Sequence, residues 1–257
     1  MTAPTAVSLQ RDRAEIARSR AEAQAFVFTG INHAQVERYL NPPSTAFHGL
    51  EYAYYLLGDV RGKTVLDLGC GKGENLIPLA VRGADVLGVD LSPDLVECAR
   101  RRVRVAGLKA DVRVGSAYST GLPDGSVDVI FCIALIHHLE ISRVRAEMLR
   151  VLRSDGFIVL LEPVRFSVAY DRCRKLLRPG RLISEYEHPL TRTELSTMLQ
   201  GLRLGGMRYF RLPFVPLVDK LTGKTSHSAR RLSCWMTRQL PALDYFATSV
   251  VVKLHKE

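Results

Sequence analysis

Val65-Leu66-Asp67-Leu68-Gly69-Cys70-Gly71-Lys72-Gly73-Glu74 decides the fold. An apolar strand runs into three alternating glycines, and residues 75–81 then carry helical spacing. Glycine lets the backbone turn sharply and lets a ligand lie against bare main chain. The next strand ends in Asp90, 21 residues after Gly69, where a carboxylate can accept both hydroxyls of a ribose. A dinucleotide-binding fingerprint would have its third glycine at position 74, but Glu74 stands there and the glycine is at 73. Asp67, at the opening of the loop, suits an ammonium group and would repel a pyrophosphate. The stretch fits a nucleoside that carries an amino acid.

Outward from this loop the chain alternates. Strands are predicted at 64–68, 84–89, 110–114, 127–135 and 157–161. Between them, Ser92-Pro93 opens a helix as N-cap and first helical residue, and another helix is predicted over 142–152. Nearly continuous apolar strands separated by helices imply a parallel sheet covered on both faces. Beyond the fifth strand comes a basic insertion, 163–190, and then Thr191-Arg192-Thr193-Glu194, a capping box that starts a helix. Two final strands, 207–212 and 247–254, enclose a second insertion, 213–245, with Arg230, Arg231, Trp235 and Met236 in a helical stretch. On the other side, 9–27 reads as an amphipathic helix, Asn41-Pro42-Pro43-Ser44 as a turn, and 49–57 as a helix with Leu50, Tyr54 and Leu57 on one face.

Composition narrows the class. The 257 residues are 47% apolar and 24% charged, which fits one globular α/β domain with appendages. The longest apolar run, 129–136, is far too short to span a bilayer, and Arg11, Asp12, Arg13, Glu15, Arg18 and Arg20 interrupt any signal-peptide core. A cytoplasmic protein with no transmembrane segment is expected. Cys70, Cys98, Cys132, Cys173 and Cys234 form no CxxC pair, so buried free thiols are expected and no metal site. The net charge is +10, and its distribution is uneven: residues 1–164 hold 19 basic and 19 acidic side chains, residues 165–257 hold 17 and 7. Such a surplus fits a solvated face, nucleic acid, an acidic membrane surface or an anionic substrate.

The segments VLDLGCGKG, GVDLS, GLPDGSVDVIFCIALIHHL and RVLRSDGFIVLLEP, in that order, resemble the class I S-adenosylmethionine-dependent methyltransferases. The likeness is to their type 11 (ubiquinone/menaquinone methyltransferase-like) group, and it is close over residues 60–165. It implies a Rossmann-like, doubly wound, seven-stranded sheet, mostly parallel with an antiparallel last strand, and S-adenosyl-L-methionine as cofactor. It also implies that Asp67, Gly69, Gly71 and Gly73 line the methionine part, that Asp90 holds the ribose, and that Cys70 and Asn75 belong to the same cofactor-binding set. Leu91 would flank the adenine, with Ile133 and Ala134 facing the cofactor past strand four. The family usually has an Asp after strand three; here Gly115-Ser116-Ala117 stands instead, with Ser116 able to accept from the adenine amino group and the Ala117 N–H able to serve N1.

His137 and His138 follow strand four, at the edge where open α/β sheets bind ligands. An imidazole can take a proton near neutral pH, so His137 is the first candidate for a catalytic base, with His138 and Glu162 next. The insertions carry Phe166, Tyr170, Leu176, Leu177, Phe214, Val215, Leu217, Trp235 and Met236 among basic residues, which suits a largely apolar small metabolite. The expected reaction is O-, N- or C-methylation of such an acceptor. The alternatives are an RNA or tRNA methyltransferase using the basic C-terminal third, and a non-catalytic cofactor-binding subunit. Cys132 lies within a strand with no preceding proline, unlike a cytosine-C5 nucleophile. Residues 1–57 are expected to form a helical lid over the acceptor, or an arm exchanged within a homo-oligomer, and 58–257 the methyltransferase domain.

Overall fold

The computed structural model describes residues 6–27, 30–167 and 188–256. Its helices are α1 (Ala6–Gln24), α2 (His33–Leu40), α3 (Gly49–Leu57), α4 (Leu76–Val81), α5 (Pro93–Val105), α6 (Ile141–Val151), α7 (Arg192–Leu199), α8 (Phe214–Thr222) and α9 (His227–Gln239). Its strands are β1 (Thr64–Leu68), β2 (Asp85–Asp90), β3 (Asp111–Val114), β4 (Val127–Ile133), β5 (Leu152–Pro163), β6 (Arg203–Phe210) and β7 (Ser249–His255). The strand order is β3-β2-β1-β4-β5-β7-β6 in one seven-stranded sheet. Among the described residues no helix is long and apolar enough to cross a membrane.

The chain packs as two compact units, and β5 runs from one into the other. The first comprises the chain up to Leu40, Asp59–Cys132 and Arg143–Phe157; the second comprises Asn41–Gly58, Ile133–Ser142 and the chain from Ile158 onward. α1 and α2 go with the first unit and α3 with the second.

In the first unit, β1 pairs in parallel with β2 on one side and β4 on the other. A central strand covered on both faces has no solvent side, and Val65, Leu66 and Leu68 are accordingly buried, with Ile130 and Phe131 beside them. Leu76 and Leu79 of α4 and Val96 and Ala99 of α5 complete this core. Ser92 accepts from the Leu95 N–H at 3.3 Å with Pro93 next in line, so α5 starts as its sequence predicts.

In the second unit β7 pairs antiparallel with β6, from Arg203↔His255 to Phe210↔Ser249, with a bulge between Leu204 and Gly206. α3 packs on this ribbon: Lys253 Nζ donates to the Leu56 carbonyl at 2.8 Å, and the Arg208 guanidinium lies 3.9 Å from the Tyr52 ring centroid. The capping box at Thr191 and Glu194 is formed in full.

Among the strand ends that differ from expectation, three have a clear local reason. β4 stops at Ile133 because Ala134 turns to φ 54°, outside the β region. β5 begins at Leu152, since Arg153-Ser154-Asp155 stays extended with its side chains in solvent rather than turning. β6 runs from Arg203 only to Phe210, because Arg211 takes φ 62°. Cys70, Cys132 and Cys234 are buried free thiols, Cys98 is half-buried, and Cys173 lies outside the described residues.

Candidate active site

β1 delivers Asp67 into the interior of the first unit, where it is 1% exposed. Its Oδ2 has no hydrogen-bond partner. Burial first, and the nearby Asp90 charge second, push its carboxyl up to about 8, while a hydrogen bond with Asn75 pulls the other way. A buried carboxylate oxygen left without a donor is costly unless a ligand completes it. Beyond it, Gly69, Gly71 and Gly73 take φ of 77°, 50° and 77°. At Gly71 an added Cβ would meet nothing within 4 Å, so the backbone lies bare. At Gly73 it would come within 3.0 Å of the Ala99 Cβ, so this glycine seats the loop on α5.

The loop is fastened to the end of β2. The Gly69 and Cys70 N–H groups donate to the Val89 carbonyl at 2.8 and 3.1 Å. Asp90 Oδ2 accepts from the Gly71 N–H and Oδ1 from the Ser92 N–H, each at 2.9 Å. Burial raises the Asp90 carboxyl and these two donors oppose it. Each oxygen keeps a second lone pair for a hydroxyl. Leu91 is half-buried beside it. β3 ends alongside, where the Gly115 N–H donates to the Asp90 carbonyl at 2.9 Å. Ser116 Oγ already accepts from the Tyr118 N–H at 3.2 Å, which leaves it one lone pair, and Ala117 follows in the same turn. The orphaned Asp67 oxygen, the open backbone at Gly71 and the paired lone pairs of Asp90 fit the ammonium, main-chain approach and ribose of S-adenosylmethionine.

The second unit gathers the other candidates. Ile133 closes β4, and the strained Ala134 donates its N–H to the Leu161 carbonyl at 2.8 Å. A one-turn 3-10 helix, Ile136–His138, follows. Glu162, 1% exposed, receives it: Oε1 accepts from the Leu135 and Ile136 N–H groups at 2.9 and 2.8 Å. Oε2 lies 2.8 Å from His137 Nδ1 and 3.4 Å from the His137 N–H. Four donors fill the lone pairs of one carboxylate. Glu162 thus holds the turn and the imidazole, and is not placed as a base itself. Because a carboxylate only accepts, Nδ1 carries the hydrogen and the basic lone pair falls on Nε2. The His138 ring lies tilted against that of His137, with centroids 4.0 Å apart.

The structure therefore brings together Asp67, the glycine loop, Asn75, Asp90 and Ser116 in one unit, and His137, His138 and Glu162 in the other. Of the insertion residues, Val215 is buried, Leu217 and Trp235 are exposed, and Tyr170, Leu176 and Leu177 lie outside the described residues. Sequence reasoning missed the outer brace of the loop. Glu22 of α1 pairs with Lys72 at 2.8 Å, and Arg102 of α5 donates from Nε to the Lys72 carbonyl at 2.9 Å. Phe26 lies against the same two cations, 5.0 Å from Arg102 and 5.8 Å from Lys72. No local pattern signals a pair fifty residues apart.

Residues 66–160 match the family described as Methyltransferase domain. The ubiquinone biosynthesis O-methyltransferase of Bordetella avium (strain 197N) is 27% identical over 186 residues, 69% of this chain and 77% of that protein. The nocamycin O-methyltransferase of Saccharothrix syringae is 34% identical over 108 residues, 40% of this chain and 39% of that one. Among solved structures, the geranyl diphosphate C-methyltransferase of Streptomyces coelicolor A3(2) superposes with a TM-score of 0.62 at 16% identity, covering 96% of this chain and 98% of that chain. At that identity the likeness is one of fold.

Proposed function

We propose that this chain, a class I S-adenosylmethionine-dependent methyltransferase of the type 11 group, methylates a hydroxyl on a small, largely apolar metabolite. The observation that carries the reading is the His137–Glu162 pair, whose geometry fixes a basic nitrogen on a rigid turn directly after β4. A hydroxyl is a poor nucleophile until it loses its proton, and a held imidazole meets that need. The ubiquinone and nocamycin relatives are O-methyltransferases by name, which supports the same choice. S-adenosylmethionine, when bound, supplies a sulfonium methyl that needs no further activation.

Each residue then has a task. Asp67 holds the ammonium and Asp90 the ribose, while Gly69, Gly71 and Gly73 let the main chain approach. Ser116 and the Ala117 N–H serve the adenine, and Leu91 flanks it. His137 takes the acceptor's proton on Nε2, Glu162 acts as its positioning residue, and His138 packs against its ring. α1 bears on the cofactor loop through Glu22, and the N-terminal helices serve as a lid over the acceptor. Alignment and exclusion of water do the remaining work.

RNA is the weaker reading. In the basic third, Arg230 is paired with Asp219 at 2.7 Å, Arg208 is stacked on Tyr52, and Arg192 lies over Phe166 and Tyr245. The test is His137→Ala assayed on a phenolic acceptor. kcat is expected to fall by about 10²- to 10⁴-fold, with S-adenosylhomocysteine affinity unchanged. Undiminished kcat would remove His137 from the chemistry.

A further inference from the structure

α9 is built the wrong way round for a helix that ends at the protein surface. The side it turns inward carries small residues, Ala229, Ser233, Cys234 and Thr237. Ser233 Oγ accepts from the Leu212 N–H at 2.8 Å, and Thr237 Oγ1 donates to the Tyr209 carbonyl at 3.5 Å. Its large apolar residues, Leu232 and Trp235, face outward and are 51% and 59% exposed. α8 does the same, burying Val215 and leaving Leu217 48% and Leu221 77% exposed. Of the fourteen exposed large apolar side chains among the described residues, seven fall between Leu217 and Phe246. Scattered exposed leucines need no explanation, but a concentration in one thirty-residue segment does.

The charges around this face are basic. Lys220, Lys224 and Arg238 are exposed beside it. Of its two acids, Asp219 is engaged by Arg230 and by the Ser226 N–H, which leaves Asp244. We propose that the outward face of α8 and α9, with the turn that follows, docks on an anionic lipid surface. Leu221, Leu232 and Trp235 would enter the headgroup boundary while Lys220, Lys224 and Arg238 meet the phosphates. A second copy of the chain is disfavoured as occupant because it would set these cations against their own images. A nucleic acid would satisfy the cations and leave the leucines in water. The proposal goes beyond the methyl-transfer reading and requires no turnover, so either can fail without the other.

Trp235 is the only tryptophan in the sequence, so its emission reports on this face alone. The full chain is mixed with vesicles of phosphatidylcholine and phosphatidylglycerol, and separately with phosphatidylcholine alone, then sedimented. The anionic vesicles are expected to shift the emission to shorter wavelength and to carry the protein down. Leu221→Ser with Leu232→Ser, which keeps the reporter, should weaken partitioning at least tenfold. Lys220→Glu with Lys224→Glu should weaken it by about fivefold or more per charge. Both variants should bind S-adenosylhomocysteine normally, which shows that they fold. The proposal is overturned by no shift with either vesicle, or by undiminished partitioning of the leucine variant. It is equally overturned by a dimer that the leucine variant dissolves, or by tRNA producing the shift where vesicles do not.

Discussion

Replacing Asp67 with Asn tests the cofactor site at its most unusual atom. The carboxyl is buried, with Oδ2 unpartnered, and its pKa is pushed from the ordinary 3.8 up to about 8. At 1.36 kcal/mol per unit, the ionised form is disfavoured by roughly 6 kcal/mol relative to a carboxylate in water. An acid whose pKa is raised by folding holds its proton more tightly folded than unfolded. Stability is therefore full below the unfolded value and declines as pH rises from about 4 towards about 8. An ammonium group placed at Oδ2 restores the carboxylate, so binding must release a proton near neutrality. The affinity for S-adenosylhomocysteine should then climb by up to about tenfold per unit between about pH 6 and 7.5. Methylthioadenosine, which lacks the amino acid, should show no such climb. Asp67→Asn abolishes the climb, weakens S-adenosylhomocysteine about 10- to 100-fold, and makes the empty protein more stable at the alkaline end. Calorimetry in two buffers of different ionisation enthalpy counts the released proton. A pH-independent affinity in the parent, with no proton released, would refute the reasoning.

Three further outcomes follow from the packing. Ala134→Gly should leave the melting temperature within a few degrees, because relief of a left-handed alanine, about 1–2 kcal/mol, offsets the flexibility glycine adds; Ala134→Val should instead lower it clearly, whereas it would be harmless if the strand continued to residue 135. Glu162→Gln places an amide against buried N–H donors and should cost about 3–5 kcal/mol, or roughly 10 °C in a chain of this size; an unchanged melting temperature would contradict the filled carboxylate. Glu22→Lys breaks the half-exposed pair with Lys72 and should weaken S-adenosylhomocysteine by about threefold to fivefold, and calorimetry showing no change would separate α1 from the cofactor loop.

What the sequence discloses here is what is local. The apolar runs of β1, β2 and β4 and the Ser92-Pro93 start of α5 need only neighbouring residues, and so do the Asp67, glycine and Asp90 spacings. The task of Glu162 was not legible, because it depends on which N–H groups converge on it from a turn 25 to 27 residues earlier. A carboxylate at a strand end reads as a base until its lone pairs are counted. The end of β4 was hidden for a similar reason: Ile133-Ala134-Leu135-Ile136 is as apolar as the strand before it, and only the backbone angle at Ala134 marks the turn. The Lys72–Glu22 pair joins residues with no shared periodicity. Leu217 of α8 and Trp235 of α9, which composition suits to a pocket, are exposed, since composition cannot tell an inner face from an outer one.

The central claim is methyl transfer to a small hydroxylated acceptor, and transfer of labelled methyl measures it directly. Purified chain with labelled S-adenosylmethionine is offered phenols, amines, isoprenoid alcohols and tRNA, at low and at physiological salt. Label is expected in a hydroxylated, largely apolar acceptor, with KM changing by less than about threefold between the two salts because few phosphates are neutralised. Label in tRNA, with a steep loss of affinity as salt rises, would contradict the account; so would cofactor binding with no transfer to any class.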